Sequence, residues 1–310
     1  MRALRASHPD VFEGSRALLD SATSTKGAEL VLTGPGPDPI IEVLRATSLV
    51  AKFGATILAG LDGPVAWPRQ TATATAAWVP ESPTADVGSS NLLLDQVQLT
   101  AKPITSTTSY SRKLLLQAAR SIEAAVAADF VAGFGTAIDI AAIAGPGTSN
   151  QPTGILSTAG IGSVTLGANG GLPVYDTFVD LENQLGAANA DRGSLAFLTT
   201  SKVRQRMRKS SAISAATGIP VWAQGMVCDY PAGVSSNVPA NLTKGTSTIC
   251  HAIIFGNFQD IVLAQWGAID ILADPFAQKR RADIEVTAYA MFDIAVRHAA
   301  SFAACKDALP

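Results

Sequence analysis

The stretch Ile284-Glu-Val-Thr-Ala-Tyr-Ala-Met-Phe-Asp-Ile-Ala-Val296 decides the class of fold. Ile284, Val286, Ala288, Ala290, Phe292, Ile294 and Val296 fall on alternate positions, with Glu285, Thr287, Tyr289, Asp293 and Arg297 between them. Successive side chains of a strand point to opposite faces, so the pattern predicts a strand with one apolar and one polar face. At about 3.3 Å per residue it would extend roughly 40 Å, against a usual strand of about five or six residues. Such a strand suits an extended subunit that shares load with its neighbours.

Just upstream, Ala252-Ile-Ile-Phe255, Ile261-Val-Leu-Ala264 and Ala268-Ile-Asp-Ile-Leu272 read as further strands, making the last third β-rich. A different rhythm precedes it. Pro173, Val174, Phe178, Leu181 and Leu185 mark a helix that opens on proline, followed by a strand at Leu195–Thr199 and a short basic helix from Ser201 to Lys209. This alternation is that of a compact α/β unit, placed at 173–266. The Gly-, Ser-, Thr- and Asn-rich segment from Ala144 to Gly171 reads as a crossing between domains.

Leu115, Ala119, Ile122, Val126 and Phe130 recur at helical spacing, with Lys113, Gln117, Arg120 and Asp129 off the stripe. A spine helix over 111–132 lying on a sheet is expected, stopped by Gly133-Phe-Gly135. Asp95–Ser109 reads as a strand, and Pro103 favours an edge position. Val65–Val79, entered through the turn Gly60-Leu-Asp-Gly-Pro64, alternates Ala and Thr with aromatics and reads as a hairpin with little core of its own. Residues 1–40 resemble an arm, with room for a short helix from Pro9 to Leu19 and a break at Gly34-Pro-Gly-Pro-Asp-Pro39.

Hydrophobic residues make up 47% of the chain and charged residues 15%, so much of its surface is expected to be covered by partners. A net charge of -2 excludes a strongly basic nucleic-acid binder. The N-terminus lacks the apolar run of a signal peptide, and no run of about 18 uncharged apolar residues occurs, so neither export nor a membrane partner is expected.

Chemistry is hard to find. The three histidines, His8, His251 and His298, stand apart, with no Gly-x-Ser-x-Gly elbow and no phosphate loop. Cys228, Cys250 and Cys305 are too few and too scattered for a disulfide framework, and Cys228, Cys250 and His251 lack the remaining ligands of a metal site. Glu81, Asp86 and Asp95 lack calcium-loop spacing. The basic runs Lys202–Lys209 and Lys279-Arg-Arg281 have no interleaved aromatics and read as solvated faces or as salt-bridge faces toward neighbouring subunits rather than as base contacts. No enzyme, cofactor or metal is expected.

The order of elements, and several motifs, resemble the Hong Kong 97-type major capsid family of tailed bacteriophages. The motifs are Trp78-Val-Pro-Glu81, Val97-Gln-Leu-Thr-Ala-Lys-Pro103 leading to Ser111-Arg-Lys-Leu-Leu115, Gln151-Pro-Thr-Gly-Ile155, Ile254-Phe-Gly-Asn-Phe258, Gln265-Trp-Gly267 and Arg297-His-Ala-Ala-Ser-Phe302. The likeness spans roughly residues 40–303. It implies an α+β capsid fold with an N-terminal arm and lead-in strand (1–52), an extended β-hairpin loop (53–100), a peripheral domain (101–172 and 267–310, with its long strand at 283–298) and an axial domain (173–266).

The implied function is that of a non-catalytic shell subunit. It would assemble as pentamers and hexamers into the icosahedral head of a double-stranded DNA phage, in the host cytoplasm and then in the virion. Scaffolding, portal and decoration proteins are the further partners the family allows, and packaged DNA would be touched only weakly. An encapsulin-like nanocompartment shell is the alternative. The lysine of crosslinking members has no counterpart between Phe53 and Thr100, so no isopeptide mesh is expected. Only about 40 residues precede the first matching strand, which suits separately encoded scaffolding or a processed chain. Expected contacts between subunits are Trp67, Arg69, Trp78 and Glu81 in the loop, Arg204 and Arg208 on the basic helix, and Lys279 and Arg280 between strands, since Trp and Arg are favoured interface anchors. Both tryptophans could equally serve the subunit's own fold.

Overall fold

The computed structural model describes residues 18–19, 48–76, 78, 91–117, 122–211 and 220–310. These residues fall into two compact units, and four elements run through both. One unit comprises residues 1–45, 103–136 and 268–291, and the other comprises 46–102, 137–267 and 292–310.

The first unit is built on strand β5 (Lys102–Ser111), the distal half of β12 (Ile261–Asp274) and most of β13 (Asp283–Val296). The decisive alternating segment is thus one strand of 14 residues. Val286, Ala288 and Ala290 are buried, as their shared face requires. Leu18–Leu19 (β1) pairs in parallel with β5 at Ser109 and Tyr110, several residues beyond Pro103. The short helix expected over Pro9–Leu19 otherwise lies outside the described residues, and Leu18–Leu19 is strand.

Helix α2 (Arg112–Gln117) and helix α3 (Ile122–Ala144) follow β5. Ile122, Val126 and Phe130 of the stripe read from the sequence are buried, and Phe134 extends it at the same four-residue step; Leu115 is instead exposed, with its neighbour Leu114 buried in its place, and Ala119 lies outside the described residues. The expected stop at Gly133-Phe-Gly135 is wrong: α3 continues to Ala144. A glycine inside a helix costs only about 1 kcal/mol, and burial of Phe134, Ala142 and Ile143 outweighs it. By length and composition α3 could cross a membrane. Its buried Asp139, however, accepts hydrogen bonds from Ser48 Oγ (2.9 Å), Val50 N (3.2 Å) and Asn237 Nδ2 (2.7 Å), the pattern of a helix packed within protein. Val50 belongs to the short helix α1 (Leu49–Lys52).

The second unit holds a seven-stranded sheet whose main path is β6 (Gly162–Val164), β14 (Phe302–Ala308), β11 (Ser247–Asn257), β7 (Leu195–Thr199), β9 (Tyr230–Val234) and β8 (Met226–Val227); β10 (Leu242–Lys244) also pairs with β11. β7 is buried throughout because both sheet faces are covered. Leu198, Ile254 and Ala304 enter a core with Phe258 and Phe302, whereas Phe197, Phe255 and Cys305 enter another with helices α4 (Tyr175–Ala187) and α5 (Ser201–Lys209). The Phe197 and Phe255 rings stack at 4.2 Å. β11 and β14 approach so closely at Gly256 that a Cβ would stand 2.4 Å from Ser301 O.

Two strand expectations need correction. Ile261–Ala264 and Ala268–Leu272 are one strand, β12, because Gly267 takes a left-handed φ of 65° and lets the backbone pass without a break. Val65–Val79 is not a complete hairpin. Val65–Ala72 (β3) pairs antiparallel with Leu93–Leu99 (β4), so the segment read as one strand over Asp95–Ser109 is shared between β4 and β5. In the second unit β12 also pairs with Thr56–Leu58 (β2) in parallel.

Candidate intersubunit surfaces

The β3–β4 hairpin is anchored at its base and exposed at the far end of its described strands. At the base, Leu99 packs with Val262, Ala264 and Trp266, joined by Leu58, Leu61 and Trp67. The Arg297 guanidinium lies 4.5 Å above the Trp67 ring, a cation–π contact, and the indole N–H of Trp266 donates to Gly63 O. Trp67, Arg69, Val97, Arg297 and His298 border an open groove of about 610 Å³. Trp67 thus takes part in the subunit's own packing, while Trp78 is fully exposed.

Arg69 makes a two-nitrogen contact with Asp95 across the hairpin, Nε at 3.1 Å and Nη2 at 2.7 Å from Oδ2. This hydrogen bond, with a backbone donor at Gln96, holds the Asp95 carboxyl below its ordinary value. Further out, Leu92, Leu93 and Leu94 are each more than half exposed. Leu93 and Leu94 are consecutive in β4, so they project to opposite faces, and among the described residues neither face is covered at that position. Three consecutive leucines beside Ser89-Ser90-Asn91 were the available sequence signal for this tip. Glu81 lies outside the described residues.

The remaining candidates fall on separate surfaces. Arg208 is exposed and Arg204 half-buried on α5, whose Val203 and Met207 point into the core. Lys279 and Arg280 are exposed in a short helical turn, Lys279–Arg281, that leads into β13. Phe276, just before it, is 74% exposed.

The buried polar groups are structural in their surroundings. Asp293, expected on the wet face of the long strand, is buried and accepts from Thr100 N (2.9 Å) and Lys102 Nζ (2.8 Å). Sequence reading missed it because its cation comes from the end of a different strand. His251 shares a hydrogen bond of 2.9 Å between Nδ1 and Thr200 Oγ, and burial, aided by the Lys202 charge, lowers its pKa. Burial pushes Cys305 up to about 12 and Cys228 to about 11, which makes both poor nucleophiles. Among the described residues no group of three His, Cys, Asp or Glu side chains could hold a metal ion.

The sequence matches a known family: residues 34–307 fit the model of the phage capsid family. The chain belongs to the phage capsid family. It is similar to the major capsid protein of Halomonas phage phiHAP-1, 28% identical over 306 residues that cover 98% of this chain and 48% of that protein. Likeness to the major capsid protein of Klebsiella oxytoca phage phiKO2 is 27% over 237 residues, covering 75% of this chain and 54% of that protein. The chain therefore spans about half the length of the curated relatives it matches. Among solved structures, a capsid chain of a native GTA particle superposes with a TM-score of 0.73 at 22% identity, covering 93% of this chain and 99% of that one. A chain of Gordonia phage Cozz does so with a TM-score of 0.65 at 17% identity, covering 93% and 96%. The mixed helix-and-sheet architecture is that of phage capsid proteins.

Proposed function

We propose that this chain is the major capsid protein of a tailed double-stranded DNA phage, a subunit without catalytic activity that assembles as pentamers and hexamers into the icosahedral head. The observation that carries the proposal is the outer part of the hairpin, where Leu92, Leu93, Leu94 and Trp78 stand in water on a two-stranded arm that no described residue covers there. Apolar groups on both sides of a two-stranded arm are costly unless another surface receives them. A neighbouring subunit is the receiver that membership of a capsid family supports.

In this assignment residues 53–100 are the extended loop laid on the neighbour, 173–266 form the axial domain near the five- and six-fold centres, and the long strands and α3 form the peripheral domain. Trp67, Arg69, Trp78, Glu81, Arg204, Arg208, Lys279 and Arg280 are the candidate contacts. Assembly takes place in the host cytoplasm and the product resides in the virion, with scaffolding, portal and decoration proteins as further partners and packaged DNA touched weakly. The named likenesses are to phage and GTA particles, which favours this assignment over a nanocompartment shell.

Native mass measurement on the purified chain tests the proposal. Species of five and six copies, or larger closed particles, are expected as concentration rises; a monomer at every concentration would contradict it.

A further inference from the structure

Helices α4 and α5 lie over the same core and carry opposite charge. Phe178, Leu181 and Leu185 of α4 and Val203 and Met207 of α5 are buried together, which leaves the opposite side of each helix in water. On α4, Tyr175–Ala187, that outer side presents Asp176 and Asp180, and the helix contains no lysine or arginine. On α5, Ser201–Lys209, five of nine residues are basic (Lys202, Arg204, Arg206, Arg208 and Lys209), and the helix contains no acid. None of these seven side chains has an ion-pair partner among the described residues.

Such separation is unfavourable within one copy. Lys202 and Arg206, and likewise Arg204 and Arg208, are like charges one helical turn apart, each pair costing a few tenths of a kcal/mol in an isolated helix. Glu182, which accepts from the Tyr230 hydroxyl at 3.1 Å, adds a further negative charge on α4.

We propose that the acidic face of α4, Asp176 and Asp180, docks on the basic face of α5, Arg204 and Arg208, of a second copy of this chain. The spacings agree: 176 to 180 and 204 to 208 are both steps of four, so two ion pairs form in one register. Half-exposed Val179 lies beside the acids and supplies an apolar centre to the contact. The two faces differ, so the contact is head-to-tail, the kind that closes rings when the rotation allows. Nucleic acid is the other polyanion that α5 could meet, but the complementary pair on the same unit favours a second copy. The contact rests on the shell assignment and adds to it what joins one member of a ring to the next.

The test compares the full chain with Asp176→Lys/Asp180→Lys, Arg204→Glu/Arg208→Glu and the four-fold combination, by thermal melting and by native mass across protein concentration. Each reversal is expected to raise the concentration needed for rings by roughly tenfold or more, and the combination to return it close to the wild-type value. A reversal that impairs melting is replaced by Asp176→Asn/Asp180→Asn or Arg204→Gln/Arg208→Gln, for which roughly threefold is expected. Wild-type rings with indifferent variants, or a combination no better than its parts, would overturn the contact alone. Intact rings of Arg204→Glu/Arg208→Glu that retain less DNA than wild type would also overturn it and assign α5 to nucleic acid. A wild-type chain that never forms rings would overturn the shell assignment and the contact with it.

Discussion

Lys102 reaches Asp293 with its Nζ 2.8 Å from Oδ1, and the aspartate is only 3% exposed. The long strand β13 therefore carries a buried charge, neutralised from the first residue of β5. Removing the cation leaves that charge uncompensated in the interior. Lys102→Ala is expected to lower unfolding free energy by about 2–4 kcal/mol, and Lys102→Ala/Asp293→Asn to recover part of the loss, as read by urea denaturation. Equal stability of wild type and Lys102→Ala would contradict this account of the pair.

The hairpin tip gives the opposite expectation, a change in assembly without a change in fold. Leu93→Asp/Leu94→Asp alters residues already in water, so the subunit's stability should move by less than about 0.5 kcal/mol. Rings and particles should be lost in native mass spectra, because the tip's apolar contact with a neighbour is removed.

Alkaline pH should destabilise the second unit. Burial is the main cause that raises Cys305 from 9.0 to about 12, Cys228 from 9.0 to about 11 and Tyr230 from 10.0 to about 12. A raised folded pKa lends stability that is complete below the unfolded value and is lost as pH climbs toward the folded one. The melting temperature should therefore hold to about pH 9 and fall between pH 9 and 12. Cys305→Ala should lessen the fall. At pH 8 about a thousandth of Cys228 would be thiolate, against about a tenth for an ordinary thiol, so labelling should be slow until the chain is unfolded.

Acid acts through His251. Its pKa lies below 6.5 because burial, and then Lys202, disfavour the imidazolium. A depressed value in a base means that the unfolded chain takes up the proton first, so stability is lost as pH falls below about 6.5. His251→Asn should flatten the dependence of melting temperature on pH between 7 and 5, and an unchanged slope would exclude His251 as its source.

The parts of the fold legible in the sequence were those set by local periodicity. Val286, Ala288 and Ala290 alternate with wetter neighbours, and Phe178, Leu181 and Leu185 recur at helical spacing, so strand and helix could be read from the residues alone. What depended on distant partners could not. The mate of β3 is β4, beginning at Leu93, more than twenty residues beyond Ala72, and alternation says nothing about which strand another pairs with. Gly133 and Gly135 appeared to end α3, but their cost is small beside the burial of Phe134 and Ile143.

The candidate contacts were legible as residue types and not as surfaces. Trp67 and Trp78 look alike in sequence, yet one lies beneath Arg297 and the other stands in water. The difference comes from the fold of the hairpin base. The leucines at 92–94, which no motif marked, are the larger exposed apolar group.

The most direct test is negative-stain electron microscopy of the purified chain, alone and with the products of neighbouring genes. Closed polyhedral particles, or rings of five and six, are the expected result. A uniform small oligomer under every condition would contradict the shell assignment.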